Sequence, residues 1–162
     1  MENVFIRTIL PEDDPALAKI IRTTLQEFNA AHPGSVYYDP TTDHLSQLFQ
    51  NERSRFYTAL INNEIVGGAG VYPTDGLPND VCELCKMYLV PSARNLGLGR
   101  RLIQMCVDAA KDLGYKTVYL ESFHELTKAL SVYEKFGFEY LDKPLGNTGH
   151  FSCDKWMTLS VE

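Results

Sequence analysis

The segment Leu89-Val90-Pro91-Ser92-Ala93-Arg94-Asn95-Leu96-Gly97-Leu98-Gly99-Arg100-Arg101 constrains this chain most, because it turns an apolar strand into a helix through two closely spaced glycines. Glycine accepts backbone angles and close approaches that a Cβ forbids, so Gly97 and Gly99 allow main-chain N–H groups to converge on a ligand. The helix that follows adds the positive end of its dipole. An anion, most naturally a pyrophosphate, fits such a turn. Arg94, Arg100 and Arg101 strengthen the local argument, since the whole chain is acidic, with 21 acidic against 15 basic side chains and a net charge of -6. That balance argues against nucleic acid or an anionic membrane as partner.

Other phosphate motifs fit less well. A P-loop needs Lys-Ser or Lys-Thr after its last glycine, and Arg100-Arg101 stands there. A dinucleotide fingerprint needs a third glycine, and position 102 is Leu102.

The rest of the chain reads as mixed α/β in one domain spanning residues 1–162, with 44% apolar residues to fill one core. Alternation predicts a strand over Asn3 to Thr8, and three- and four-residue apolar spacing predicts a helix from Ala16 to Phe28, ended by His32-Pro33-Gly34. A short helix follows over Thr42 to Phe49. Asn62-Asn63 between Arg55–Ile61 and Glu64–Val71 has the composition of a hairpin turn. Val81 to Val90 reads as a long apolar strand, Leu98 to Leu113 as a helix stopped by Gly114, and Lys116 to Glu121 as a strand. Ser122 and Glu125 have capping-box spacing for a helix ending near Phe136, before strands at Phe138–Leu141 and Phe151–Val161. No targeting segment or membrane-spanning apolar run is visible, so the expected location is cytoplasmic, with Cys82, Cys85, Cys106 and Cys153 as reduced thiols.

Arg94-Asn95-Leu96-Gly97-Leu98-Gly99 resembles the signature of the GNAT superfamily of N-acetyltransferases, in which Gln or Arg is followed by two residues, Gly, one residue, and Gly or Ala. Ala129-Leu130-Ser131-Val132-Tyr133-Glu134-Lys135-Phe136-Gly137-Phe138 is similar to that family's later helix and strand. The resemblance implies a central, mostly antiparallel mixed sheet flanked by helices and splayed where acetyl-coenzyme A enters. It implies that the backbone of Met87, Tyr88 and Leu89 lines the pantetheine arm, and that Arg94, Asn95, Leu96, Gly97, Leu98, Gly99 and Arg100 hold the pyrophosphate. Asn95 departs from the small residue of many relatives, but Asn tolerates left-handed angles. The implied reaction is direct acetyl transfer to the primary amine of a small molecule. A non-catalytic acyl-coenzyme A-binding module and an enzyme acting on a peptide or protein amine are the alternatives, and a homodimer is left open.

Acyl transfer to an amine needs one group to take a proton from the nucleophile and another to supply one to the thiolate. Tyr133 is the candidate acid, on the resemblance of its position; its helical spacing alone fits a core tyrosine equally. Glu83 is the candidate base, eleven residues before Arg94. Strand alternation puts it on one face with Cys85, Met87 and Leu89, although an ordinary salt-bridged glutamate has the same sequence signal. Tyr37 and His150 lie in polar loops that border the acceptor pocket in related folds, and their aromatic and acidic surroundings suit a cationic or neutral amine better than an anionic one. Cys82, Cys85, His150 and Cys153 have the residue types of a zinc site, but two cysteines three apart on a strand point to opposite faces, so no metal is expected.

Overall fold

The computed structural model describes residues 3–162. Among them the strands are β1 (Val4–Thr8), β2 (Arg55–Ile61), β3 (Glu64–Tyr72), β4 (Val81–Leu89), β5 (Thr117–Ser122), β6 (Glu139–Leu141) and β7 (Lys155–Ser160), and the helices are α1 (Asp14–Glu27), α2 (Leu45–Leu48), α3 (Leu98–Asp112) and α4 (Thr127–Phe136). The strands form one sheet in the order β1-β2-β3-β4-β5-β7-β6, antiparallel except where β4 runs parallel to β5. Helices cover both faces. Leu17, Ile21 and Leu25 of α1 pack with Leu45, Phe49 and Phe56 on one side. Leu102, Ile103, Cys106 and Ala110 of α3 pack with Cys82, Leu84, Val118 and Leu120 on the other. Each such leucine or isoleucine removed from water contributes about 1.5–3 kcal/mol, so the two apolar layers hold the sheet between them.

Two features of β4 open the sheet. Its pairing with β5 covers only Val81, Cys82 and Glu83, after which the strands part and leave the β5-facing edge of β4 free. The β3–β4 register also shifts between Gly68 and Gly70, so that Ala69 stands opposite both Lys86 and Met87. Lys86 takes up the extra residue with φ +56°. An added residue reverses which side chains face which layer. Glu83 and Cys85 therefore do not share a face with Met87 and Leu89 as simple alternation predicts: Met87 and Leu89 join the α3 layer, and Tyr88 joins Cys85 in the α1 layer.

The Asn62-Asn63 turn forms as expected, with φ of +51° and +69°. The strand predicted from Phe151 begins only at Lys155, and three other local expectations give way. The α1 helix stops at Glu27 because Asn29 turns left-handed at φ +56°, well before Pro33. The short helix over Thr42 to Phe49 breaks at His44 into a 3-10 turn, Pro40–Asp43, and α2. Ser122 remains in β5 and α4 begins at Thr127 without a side-chain cap, so the predicted capping box does not form.

Candidate active site

The break between β4 and α3 is built from two left-handed residues, Asn95 at φ +64° and Gly97 at φ +77°. No acceptor in the protein receives a hydrogen bond from the backbone N–H of Asn95, Leu96, Gly97, Leu98, Gly99 or Arg100 among the described residues; the first amide of α3 to find one is Arg101, on Gly97 O. Orphan donors are expected in the first turn of a helix, but here the run starts three residues earlier. A side chain at Gly99 would come within 3.3 Å of Met87 Cε, so glycine keeps the turn close to β4. Asn95, Gly97, Gly99 and Arg100 all border a cleft of about 250 Å³. That cleft continues along β4 past Leu89 and Met87 to Tyr133, and on to Glu83, Glu121 and His150.

Tyr133 is buried on α4, its ring 5.9 Å from that of Phe138. Its hydroxyl makes no hydrogen bond to another described residue and is not sealed from the cleft. Burial raises the phenol above its ordinary pKa, so it stays protonated. Glu83 is 4% exposed, with Thr74 donating to its Oε1 at 2.6 Å. Burial, reinforced by the nearby Glu121 carboxylate and opposed by the Thr74 hydrogen bond, raises the Glu83 carboxyl above the usual range. Thr148 donates to Glu121 Oε1, and Tyr119 donates to its Oε2 at 2.8 Å. His150 places Nε2 3.1 Å from Asp39 Oδ2 and Nδ1 3.8 Å from Glu121 Oε1. Lys86 Nζ lies 3.2 Å from the same Asp39 oxygen. The oxygens of Glu83 and Glu121 and a ring nitrogen of His150 lie within 4.8 Å of one another, a spacing that a divalent cation could bridge.

A family profile described as "Acetyltransferase (GNAT) family" matches residues 19–138, well over half the chain. This chain belongs to the GNAT acetyltransferase family. Over 154 residues it is 37% identical to the uncharacterized N-acetyltransferase YjgM of Escherichia coli (strain K12), covering 94% of this chain and 92% of that protein. Its fold is similar to that of an acetyltransferase of GNAT family from Staphylococcus aureus Mu50, with a TM-score of 0.84 at 21% identity, covering 99% of this chain and all of the other. It is also similar to PaiA N-acetyltransferase of Thermoplasma acidophilum, solved in complex with coenzyme A, with a TM-score of 0.76 at 18% identity and coverage of 98% and 99%.

Within this GNAT fold the residues singled out by sequence separate into groups. Met87, Tyr88, Leu89, Arg94, Asn95, Gly97, Gly99, Arg100, Glu83, Tyr133 and His150 border the one cleft. Leu98 is buried in the core and Leu96 points outward, so these two contribute main chain alone. Arg94 is committed within the protein: Nε donates to Leu89 O at 3.0 Å, two further nitrogens grip Glu27 at 2.7 and 3.0 Å, and the guanidinium lies 5.2 Å over Phe28. It thus pins α1 to the turn while bordering the cleft. Tyr37 does not border this cleft. Its hydroxyl accepts from Gln26 Nε2 at 2.8 Å and its ring packs under Arg22, so α1 holds it off the cleft, where Val36 takes its place. Cys82 packs in the α3 layer and Cys85 in the α1 layer, on opposite faces. Sequence reasoning missed Glu121, Lys86 and Asp39. A lysine three residues after Glu83 in a mostly apolar strand was the one available signal.

Proposed function

We propose that this protein is a cytoplasmic, single-domain N-acetyltransferase that moves an acetyl group from acetyl-coenzyme A directly to the primary amine of a small molecule. The observation that carries this reading is one cleft with six free backbone amides at one end and, at the other, a buried carboxylate whose proton affinity burial raises. Unpaired amides and the N-terminus of α3 suit the diphosphate. The free edge of β4 suits a pantetheine arm laid along it as an added strand. No helix among the described residues is long and apolar enough to cross a membrane, and the four cysteines are free thiols, which fits a reducing compartment.

In this reading Glu83 takes the proton from the incoming ammonium, directly or through water, and the neutral nitrogen attacks the thioester carbonyl carbon. The C–N bond forms, the C–S bond breaks, coenzyme A leaves as the thiol, and the second proton shed by the acylated nitrogen returns the Tyr133 phenolate to the phenol. Tyr133 donates to the sulfur as charge develops on it. Its raised pKa guarantees the proton is present and costs some driving force for giving it up. The test is thiol release from acetyl-coenzyme A against a panel of primary amines, run on the parent and on Tyr133→Phe. Turnover that falls about 100-fold in the variant supports the role. Undiminished turnover removes Tyr133 from the chemistry, and a parent inert to every amine removes the enzyme.

A further inference from the structure

Carboxylates are not alone at the acceptor end. Lys86 sits at the β4 bulge with its side chain 3% exposed, and it borders the cleft. Its ammonium has three donors and makes one bond, to Asp39. Asp39 also holds His150, so one carboxylate serves an ammonium and an imidazole and neither is saturated by it. The second ring nitrogen of His150, 3.8 Å from Glu121, is beyond hydrogen-bond reach. Beside them, within 4.8 Å of a His150 ring nitrogen, lies Glu83, whose Oε1 is occupied by Thr74 while its other oxygen has no partner among the described residues.

Signs of both kinds thus meet in a small volume. A polyamine entering here would set a second cation against Lys86, and a purely anionic molecule would set its charge against Glu83 and Glu121. A molecule with an amine and a carboxylate on one carbon satisfies both poles, because its charges are as close together as those of the site. Resting on the acetyl-transfer reading above, we propose that the acceptor is the α-amine of a free amino acid, with its α-carboxylate held by Lys86 and His150. The amine then lies toward Glu83, which receives its proton as the C–N bond to the acetyl carbon forms and the C–S bond breaks. Asp39 is a positioning residue that keeps both cations turned to one point.

The test uses the intact protein, acetyl-coenzyme A and the proteinogenic L-amino acids, each beside its α-amide and its decarboxylated amine, with thiol release as the readout. At least one free amino acid should be acetylated with kcat/KM about 100-fold above its amide and its decarboxylated amine, since each analogue leaves buried cations without their partner. Lys86→Met should lower kcat/KM for the amino acid far more than for its amide, so that the preference for the free acid collapses toward one. Equal or better turnover of the amide or the decarboxylated amine overturns the proposal while keeping the acetyltransferase, and so does a protein that acetylates other amines but no amino acid. Loss of acetyl-coenzyme A binding and of all turnover in the parent instead removes the reading beneath it. The parent panel decides the matter even if Lys86→Met fails to fold.

Discussion

The two ends of the cleft are made by different means. At one end the free groups are main-chain amides from six consecutive residues, Asn95 to Arg100. At the other they are side chains from separate segments, Glu83 and Lys86 on β4, Glu121 on β5 and His150 in the loop before β7, with Asp39 after α1 holding Lys86 and His150 from behind. Main-chain recognition is local and depends on the backbone angles a short stretch can adopt, so it leaves a motif. Side-chain recognition assembled across the fold depends on register and loop placement, and leaves none. The contrast also divides the functions, since the local end fits a constant cofactor and the assembled end fits the variable acceptor.

Substitutions should separate the two ends. The largest effect is expected from Glu83→Gln, which should lower kcat/KM for the amine by about 10²–10⁴-fold while the calorimetric Kd for acetyl-coenzyme A stays unchanged. In the parent, activity should fall on the acid side as Glu83 gains a proton, with a midpoint above its ordinary pKa of 4.5 because burial raises it, and that limb should be absent from the variant's residual rate. Loss of cofactor affinity in Glu83→Gln would break the division. Gly97→Val should do the reverse. A β-branched residue at φ +77° costs about 1–2 kcal/mol or more, so Kd for acetyl-coenzyme A should rise about tenfold with kcat at saturation little changed.

Asp39→Asn should have the smallest effect on turnover, acting only through Lys86 and His150, and should also appear in stability. Burial opposes ionisation of Asp39, yet the hydrogen bond from His150, the charge of Lys86 and the donors of Thr41 hold its carboxyl below its ordinary 3.8. Its contribution is present above about that pH and is lost as pH falls through the lower folded value. The hydrogen bond to Asp39, against burial, raises His150 above its ordinary 6.5, so the histidine's contribution is full below 6.5 and is lost as pH rises through the folded value. The variant should therefore lose about 1–3 kcal/mol, read as roughly 2–4 °C in Tm per kcal/mol, with the largest deficit between pH 3.8 and 6.5. A deficit independent of pH would mean that the carboxylate acts through packing alone.

The hairpin at Asn62-Asn63, the strand-to-helix break and the left-handed Asn95 were all legible because each rests on the angles of one or two residues. The face of Glu83 was half legible. Alternation places it beside Cys85 correctly, then fails at Lys86, because nothing in the residue types announces that a lysine will take a left-handed angle. Arg94 illustrates another limit. Its position in the motif was clear, but its partner Glu27 lies 67 residues earlier, and only packing of α1 against the turn brings them together. Tyr37 was misplaced for the same reason, since it answers to Arg22 and Gln26 across a turn whose path the sequence does not encode locally.

The central claim is that the amides of Asn95 to Arg100 bind the diphosphate of coenzyme A. Calorimetric titration of the protein with coenzyme A and, separately, with pantetheine, which keeps the thiol arm and lacks the diphosphate, tests it most directly. Tight binding of coenzyme A with weakening of at least about 100-fold for pantetheine is the predicted result. Equal affinity for the two, or no binding of coenzyme A, would contradict it.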